Sequence, residues 1–254
     1  MRSLNVRRLT IAVAIAVTAG VAAAGPAHAL SSVAKVTPTT APKPSATITP
    51  RVTKVAVNKS GVAKSTIKVY KDASETSQVL SYLANGQEVK GRVVFTVVET
   101  QGDWLKVNAP IRPNGTQGWI KADQVTTYTH DYYILVELGL KRVSVYKGAK
   151  LILTDKAGVG KAKTPTPIGS FYTTELVKTT KKNSPYGPFA YGISGFSEVY
   201  QTFGGGDGRV GMHGTNAANS VGGATTNGCV RLSNATITKL RTTLPLGVPI
   251  DLKA

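Results

Sequence analysis

Short apolar runs alternate with polar residues from about residue 55 onward and are broken by Gly, Asn and Asp. Alternation with a period of two residues is typical of β-strands that bury one face, and the breaks are typical of tight turns. Residues 52–128 therefore predict a small all-β domain, with strands in SQVLSYLANGQEV and VVFTVVETQGDWLKV. Turns are expected at Asn85-Gly86 and Gly102-Asp103, and no helical period of useful length precedes residue 128.

A second β-rich region covers residues 129–254. Period-two alternation puts one set of apolar side chains on a single sheet face: Ile134, Val136 and Leu138, then Val143 with Val145, and Leu151 with Leu153. One helix is predicted near the end, capped by Ser233 or Asn234 and stopped by Pro245, with Ile237, Leu240 and Leu244 on its apolar face. The predicted fold class is therefore mainly β, with one short C-terminal helix.

The N-terminus has the pattern of an export signal. Residues 1–29 begin with a basic stretch, continue through an apolar segment from Leu9 to about Ala24, and end in Ala27-His28-Ala29. That order is typical of a cleaved signal peptide, since the apolar run is shorter than the roughly 20 residues of a membrane anchor. Residues 30–51 are rich in Pro and Thr and predict a linker. We expect a secreted, extracytoplasmic protein without a membrane span after cleavage.

The charge balance is strongly basic. The chain has 31 Lys and Arg against 13 Asp and Glu, a formal net charge of +18, and loss of the three arginines of the predicted signal leaves +15. Such a charge favours a polyanionic neighbour such as wall polymers, although a basic and inert surface explains it equally well. Aromatic and basic residues are not interleaved as nucleic-acid binding requires, so no nucleic acid is expected.

Cys229 is the only cysteine of the chain and lies in the segment TNGCVRLSN. Exported proteins usually carry cysteines in pairs, so a single one calls for another explanation. If the segment is extended, Val230 and Leu232 face the core while Cys229 and Arg231 face the other way. In VGMHG the same rule sets His213 opposite the core residue Met212.

A thiol, an imidazole and a guanidinium are thus expected on one sheet surface. Neighbouring cations lower the pKa of a thiol, the imidazole can pass its proton to a leaving amine, and the amides of Asn227, Gly228 and Cys229 can hold an oxyanion. The alternative is a small buried cysteine and a hydrogen-bonded core histidine. Two mature histidines and one cysteine do not provide the ligand spacing of a metal site, so neither a metal nor another cofactor is expected.

The segments MHGTN and TNGCVRLSN resemble the L,D-transpeptidase catalytic domain, also called the YkuD-type domain. The upstream TPTPIGSF and the closing ITKLRTTLPLGVPIDL are similar to other elements of that family, and the likeness covers residues 131–252. Upstream, GDWLKV and GWI resemble bacterial SH3-like domains. The resemblance implies an SH3-like barrel over residues 52–128 and a sandwich-like catalytic domain over residues 129–254. Trp104 and Trp119 then either stack on sugar rings or belong to the barrel core and rim.

The resemblance also implies roles for individual residues. Cys229 would be the nucleophile, His213 the general base and acid, and the Gly214 carbonyl the group that orients the ring. The turn at Asn227 and Gly228 would form the oxyanion hole. Arg231 and Thr226 would bind substrate. Asn227 departs from the pattern, because many members have a second histidine at its position.

The implied reaction is acyl transfer on peptidoglycan stem peptides. The thiol would take the acyl group of a stem tetrapeptide, release D-alanine and pass the acyl group to a neighbouring stem amine. This would cross-link the cell wall and contribute to cell shape. Carbapenem-type inhibitors would acylate the same thiol, and the SH3-like domain would contact glycan or anionic wall polymers.

Other interpretations stay open at this point. Water as acceptor would make the protein an L,D-carboxypeptidase, and a silent site would make it a non-catalytic wall-binding protein. Peptidases of the NlpC type place the cysteine before the histidine, which is the reverse of the order here. Sortases expect a Thr-Leu-x-Thr-Cys strand that this chain lacks.

Overall fold

A computed structural model describes residues 58–84 and 92–254. The predicted signal peptide, the linker and the Asn85-Gly86 turn lie outside these residues. The described residues all fall within one compact unit. Two sheets divide them into an N-terminal half, residues 58–130, and a C-terminal half, residues 131–254.

Seven strands form the sheet of the N-terminal half, in the order β3-β2-β6-β5-β4-β1-β7. A 3₁₀ turn at Ala122–Gln124 is its only helical element among the described residues. The strands are β1 Asn58–Ala63, β2 Ile67–Tyr70, β3 Val79–Leu83, β4 Val94–Gln101, β5 Trp104–Asn108, β6 Gln117–Lys121 and β7 Val125–His130. Gly102 adopts a φ of +54°, which the predicted hairpin between β4 and β5 requires.

The C-terminal half contains an eight-stranded sheet in the order β10-β9-β8-β17-β12-β13-β14-β16, and a small parallel pair, β11 with β15. Its strands are β8 Tyr132–Glu137, β9 Arg142–Lys147, β10 Lys150–Lys156, β11 Val159–Gly160, β12 Gly169–Lys178, β13 Phe189–Phe196, β14 Arg209–His213, β15 Ala224–Thr226, β16 Val230–Arg231 and β17 Pro249–Lys253. Helix α1 spans Asn234–Thr243, and a 3₁₀ turn spans Ala218–Ser220. The predicted mainly β class with one C-terminal helix is confirmed.

Helix α1 covers one face of the eight-stranded sheet. Ser233 is its N-cap, and its hydroxyl accepts a hydrogen bond from the Thr236 amide. Ile237, Leu240 and Leu244 are buried in the core, as the sequence predicts. The expected alternation also holds for Ile134, Val136, Val143 and Val145, which are fully buried.

The prediction for Leu151 is wrong. The pairing of β9 with β10 shifts register between Leu151 and Leu153, and Leu151 is 41% exposed. An irregularity of this kind changes the face on which the following side chains lie, and period-two alternation cannot anticipate it.

The two halves share a polar contact region that the sequence does not predict. The Tyr172 hydroxyl, on β12, donates to the Asn108 carbonyl at 3.0 Å, and the Tyr128 hydroxyl donates to the Leu246 carbonyl at 2.7 Å. Ser60 donates to the Gly247 carbonyl at 3.0 Å, next to the buried His130.

Arg112, in the loop between β5 and β6, makes the most extensive of these contacts. Its guanidinium donates to three carbonyls of the loop that joins β13 to β14, namely Ser197, Tyr200 and Asp207. Asn114 adds two hydrogen bonds to the backbone of Phe196, one to its carbonyl and one from its amide. The N-terminal half therefore contacts the segment that leads into β14.

A search of the described residues for helices finds none with the length and apolar character that a bilayer crossing requires.

Candidate active site

Strands β14 and β16 lie side by side and run parallel at the edge of the eight-stranded sheet. Met212 pairs with Val230, and His213 pairs with Arg231. Met212, Val230 and Leu232 are fully buried in the core. Because side chains alternate along a strand, Cys229, Arg231 and His213 lie on the opposite face, as the sequence predicts.

The register places Cys229 one residue before Val230 and therefore beside Gly211. The thiol and the His213 ring are then diagonal neighbours on adjacent strands, with Cα atoms about 7–8 Å apart, a separation that side chains bridge. A Cβ at position 211 would lie 4.0 Å from Cδ2 of His213. Glycine at this position keeps the space between the thiol and the imidazole open.

The His213 side chain is held in one orientation. Its Nδ1–H donates to the Gly214 carbonyl at 2.5 Å, so the neutral ring has an unprotonated Nε2 that can accept a proton. The residue is only 3% exposed, and the Tyr186 ring packs edge-on against it with 4.8 Å between the centroids. The predicted orienting role of Gly214 agrees with this geometry.

Burial lowers the pKa of His213 to about 4, and the positive charge of Arg231 acts in the same direction. The hydrogen bond to Gly214 raises the pKa but does not compensate. At neutral pH the imidazole is therefore uncharged and ready to act as a base.

The pKa of Cys229 is raised above its ordinary value of 9.0, because burial outweighs the opposing effects of the Gly211 amide and the Arg231 charge. The Arg231 charge does lower this pKa, as expected, but the net shift is upward because desolvation disfavours the thiolate more than the charge favours it. The resting site holds a neutral thiol beside a neutral imidazole.

Thr226 has a structural role in the turn before the cysteine. Its hydroxyl donates to the Cys229 carbonyl at 2.7 Å and accepts from the Gly228 amide at 3.1 Å. Thr226 is also buried, so its contacts hold the turn, and its role in substrate binding stays a prediction. The Gly228 amide already donates to this hydroxyl, so its predicted place in the oxyanion hole would require it to exchange that hydrogen bond.

The amides of Asn227 and Cys229 are the remaining candidate oxyanion donors. The Asn227 side chain is exposed at the mouth of the turn. Gly228 adopts a φ of +118°, which side-chain-bearing residues rarely adopt, so its conformation requires glycine. Space is not what requires glycine here, because a Cβ would meet only the Pro165 carbonyl at an ordinary 3.4 Å.

Arg231 has a fixed backbone and an incompletely paired side chain. Its amide and carbonyl exchange hydrogen bonds with Gly158 at 2.8 and 2.7 Å. Its Nε is buried and has no hydrogen-bond partner among the residues that the structure describes. An unsatisfied buried donor next to the thiol is what an anion-binding arginine presents before its ligand arrives.

Several supporting residues escaped the sequence analysis. Asn234 accepts a hydrogen bond from the Thr215 amide at 2.8 Å and so holds the segment after His213. Gly187 allows its loop to approach that segment, since a Cβ there would lie 2.5 Å from the Thr215 nitrogen. Tyr186 is a single aromatic residue in a loop, and nothing in the sequence indicates that it contacts His213.

The residues of the TPTPIGSF segment support the nucleophile turn. Thr164 donates to the Thr226 carbonyl through its hydroxyl at 3.3 Å, and the Lys161 amide donates to the same carbonyl at 3.1 Å. Thr166 accepts from the Gly160 amide at 2.9 Å. Within the described ranges, a group of three or more His, Cys, Asp or Glu side chains that could hold a metal ion is not found.

Family models match both halves of the protein. Residues 131–252 match the L,D-transpeptidase catalytic domain called YkuD, and residues 63–126 match a bacterial SH3 domain. These ranges include the residues of the site and nearly all strands of the N-terminal sheet.

Individual relatives point the same way. A Bacillus subtilis protein, described as a candidate L,D-transpeptidase and named YkuD, is 32% identical over 126 residues, which are 49% of this chain and 68% of that protein. A second from the same organism, YqjB, is described likewise and is 32% identical over 128 residues, 47% of this chain and 70% of that protein.

Among solved structures, an Enterococcus faecium L,D-transpeptidase mutant is 22% identical, with a TM-score of 0.37. The match covers 47% of this chain and 48% of that structure. The family model and the Bacillus relatives show that the chain belongs to the YkuD-type L,D-transpeptidase family of cell-wall enzymes.

Proposed function

We propose that the protein is an exported cysteine L,D-transpeptidase that acylates Cys229 with a peptidoglycan stem tetrapeptide and cross-links neighbouring stems. The observation that carries the proposal is the placement of Cys229, His213 and Arg231 on one face of two adjacent strands, with His213 held by Gly214. Family membership supports the reaction class.

The first step forms a thioester. Nε2 of His213 takes the thiol proton as the sulfur attacks the carbonyl of the third stem residue. The bond from that carbonyl carbon to the D-alanine nitrogen breaks, and the imidazolium protonates the departing amine. Because both groups are neutral at rest, proton transfer accompanies the attack and a preformed ion pair is not required.

Two sets of donors assist this step. The amides of Asn227 and Cys229 stabilise the negative charge that develops on the carbonyl oxygen. Arg231 pairs with a substrate carboxylate, which would satisfy its buried Nε. Thr226 keeps the turn in the required conformation through its two hydrogen bonds.

The second step returns the enzyme to its resting state. An amine from a neighbouring stem attacks the thioester, His213 removes its proton, and the carbon–sulfur bond breaks as the thiol is reprotonated. The product is an amide between two stems. Water in place of the amine would release the acyl group as a free acid, which is the carboxypeptidase outcome.

The remaining segments suit an enzyme of the cell wall. Residues 1–29 direct export, residues 30–51 form a linker, and the SH3-like domain contacts anionic wall polymers or glycan. We expect this contact to involve charge more than stacking on the tryptophans. Trp119 is only 9% exposed, and Lys106 and Lys121 lie over the Trp119 and Trp104 rings.

Intact-mass spectrometry after incubation with a carbapenem tests the assignment. We expect one acyl adduct on the unmodified protein and none on the Cys229→Ala variant. Thr225→Ala, at an exposed position in the same strand–turn segment, is the control and should form the adduct. An adduct that persists in Cys229→Ala would refute the role of the cysteine.

A further inference from the structure

The loop that joins β13 to β14 is folded around one side chain of the N-terminal half. The Arg112 guanidinium donates to the Ser197 and Tyr200 carbonyls at 2.9 Å and to the Asp207 carbonyl at 3.1 Å. Gly208 adopts a φ of +77°, and a Cβ there would lie 3.0 Å from Nη2 of Arg112. The loop backbone therefore follows the guanidinium closely, in a conformation that favours glycine at this position.

Phe196, the last residue of β13, is fixed by the same N-terminal segment. Asn114 donates to its carbonyl at 2.9 Å and accepts from its amide at 2.8 Å. The Phe196 ring is buried, and the guanidinium carbons of Arg112 and Arg209 each lie 4.8 Å from its centroid. Arg209 is the first residue of β14 and pairs with Phe196. Arg112 and Asn114, together the Arg112 clamp, thus hold the end of β13 and, through Phe196, the start of β14.

The pairing of β13 with β14 is irregular next to the Arg112 clamp. Gly192 pairs with Gly211. The next pair is Phe196 with Arg209, so three residues of β13 lie opposite a single residue of β14. Such an irregularity leaves residues unpaired and disrupts the ladder locally. Strand pairing alone therefore fixes the start of β14 weakly, and the contacts of the clamp add the missing support.

Strand β14 passes beside the nucleophile two residues after Arg209. Because alternate residues of a strand share one face, Arg209, Gly211 and His213 lie on the face that carries Cys229. The Gly211 amide forms a hydrogen bond to Cys229, which acts to lower the pKa of the thiol against the larger effect of burial. At about 3.3 Å of rise per residue, Arg209 is only about 7 Å from Gly211. A displacement at the start of β14 would therefore change the hydrogen bond at the sulfur.

We propose that Arg112 and Asn114 are positioning residues of the active site, which hold the start of β14 so that the Gly211 amide keeps its place beside the sulfur of Cys229. The N-terminal half then supports catalysis directly, in addition to any contact with the wall. This role rests on the proposed function only for the identity of the reaction that it supports.

Alkylation of Cys229 in the full chain tests the positioning role without turnover. Cys229 is the only cysteine, and iodoacetamide reacts with the thiolate, so the dependence of the alkylation rate on pH follows the pKa of this thiol. Arg112→Ala should weaken the hydrogen bond from Gly211, raise the pKa of Cys229 further and shift the profile to higher pH. Asn114→Ala should shift it in the same direction, and it decides the question if Arg112→Ala does not fold. An unchanged profile, or a shift to lower pH, would overturn the positioning role.

Tyr128→Phe is the matched control for a general loss of contact between the halves. It removes the hydrogen bond from the Tyr128 hydroxyl to the Leu246 carbonyl and leaves the contacts of the Arg112 clamp in place. Its alkylation profile should equal that of the unmodified protein. An equal shift in Tyr128→Phe and Arg112→Ala would assign the effect to lost stability and would also overturn the positioning role.

The rate of carbapenem adduct formation separates the positioning role from the proposed function. Arg112→Ala should lower this rate about tenfold, because small misplacements of reacting groups are costly, and Tyr128→Phe should leave it unchanged. If the unmodified protein forms no adduct and the alkylation profile of Arg112→Ala still shifts, the proposed reaction is wrong and the positioning role stands. If the adduct forms and the profile does not shift, the positioning role is wrong and the reaction stands.

Discussion

The N-terminal and C-terminal halves are both twisted sheets with an apolar core, but they differ in how they treat polar groups. On the open face of the N-terminal sheet, lysines lie over Trp104 and Trp119 and pair with Glu75 and Glu99 near solvent. The C-terminal half brings together a buried histidine, a half-buried thiol and a buried arginine Nε. Burial at the β14–β16 edge therefore moves the pKa values of His213 and Cys229 away from their ordinary range, which is common at functional sites.

The largest difference between the two halves is expected for the two histidines that the structure describes. His213→Ala removes the proposed base, so we expect the rate of carbapenem adduct formation to fall about 10³-fold. His130→Ala, at the contact between the halves, should keep that rate and lower the free energy of unfolding by about 2 kcal/mol through lost packing and hydrogen bonding. Stopped-flow and urea unfolding measure the two quantities, and a similar loss of rate in both variants would remove the contrast.

Arg112→Ala tests whether the halves are stabilised by their shared contacts. Three carbonyls of the C-terminal half lose a charged donor, so the free energy of unfolding should fall by about 2–3 kcal/mol. Lys71→Ala, an exposed position in the same half, should change it by less than about 0.5 kcal/mol. Equal urea midpoints for the two variants would show that Arg112 contributes nothing to stability.

Two buried threonines provide a smaller test. Thr226→Val removes both hydrogen bonds of the nucleophile turn, and Thr96→Val in β4 removes one from the Asn108 amide. Each should lower the free energy of unfolding by about 1–2 kcal/mol. Only Thr226→Val should also slow adduct formation. A rate loss in Thr96→Val would show that the effect is general and not local.

The pH dependence of stability provides a further test. The pKa of His213 is about 4 in the folded protein and 6.5 ordinarily, so the unfolded chain binds a proton that the folded protein does not in this window. The contribution is complete above pH 6.5 and is lost as the pH falls towards 4. His130, whose pKa is also lowered, acts in the same direction.

Tyr186→Ala tests whether shielding by Tyr186 lowers the pKa of His213. Loss of the Tyr186 ring should expose the His213 imidazole to water and raise its pKa by about one unit or less, because part of the desolvation is relieved. NMR titration of the imidazole in Tyr186→Ala and in Tyr186→Phe, which keeps the ring, gives the comparison. An identical pKa in all three proteins would mean that Tyr186 does not shield the histidine.

Local patterns were enough to predict much of the fold. Alternation identified the strands around Ile134 and Val143, and the cap and apolar face of α1 followed from Ser233 and Leu240. Leu151 escaped because a register shift follows from neighbouring strands and not from local sequence. The contacts of Arg112 escaped because its partners are 85 to 95 residues away.

The candidate site was also predicted only in part, where local sequence determines it. Alternation in GCVRL and VGMHG correctly put Val230 and Met212 in the core, and hence Cys229 and His213 on the other face. The sequence could not supply the balance between desolvation and charge, so it predicted a lowered thiol pKa where burial raises it. It also could not show that Thr226 engages the Gly228 amide, because motif residues with structural and chemical roles look alike in a sequence.

The raised pKa of Cys229 determines how its sulfur reacts with oxidants. Oxidants and disulfides react with the anionic form of sulfur and hardly at all with its protonated form. The single cysteine of the chain, which keeps its proton, is therefore poorly reactive towards oxidants even though it has no partner cysteine.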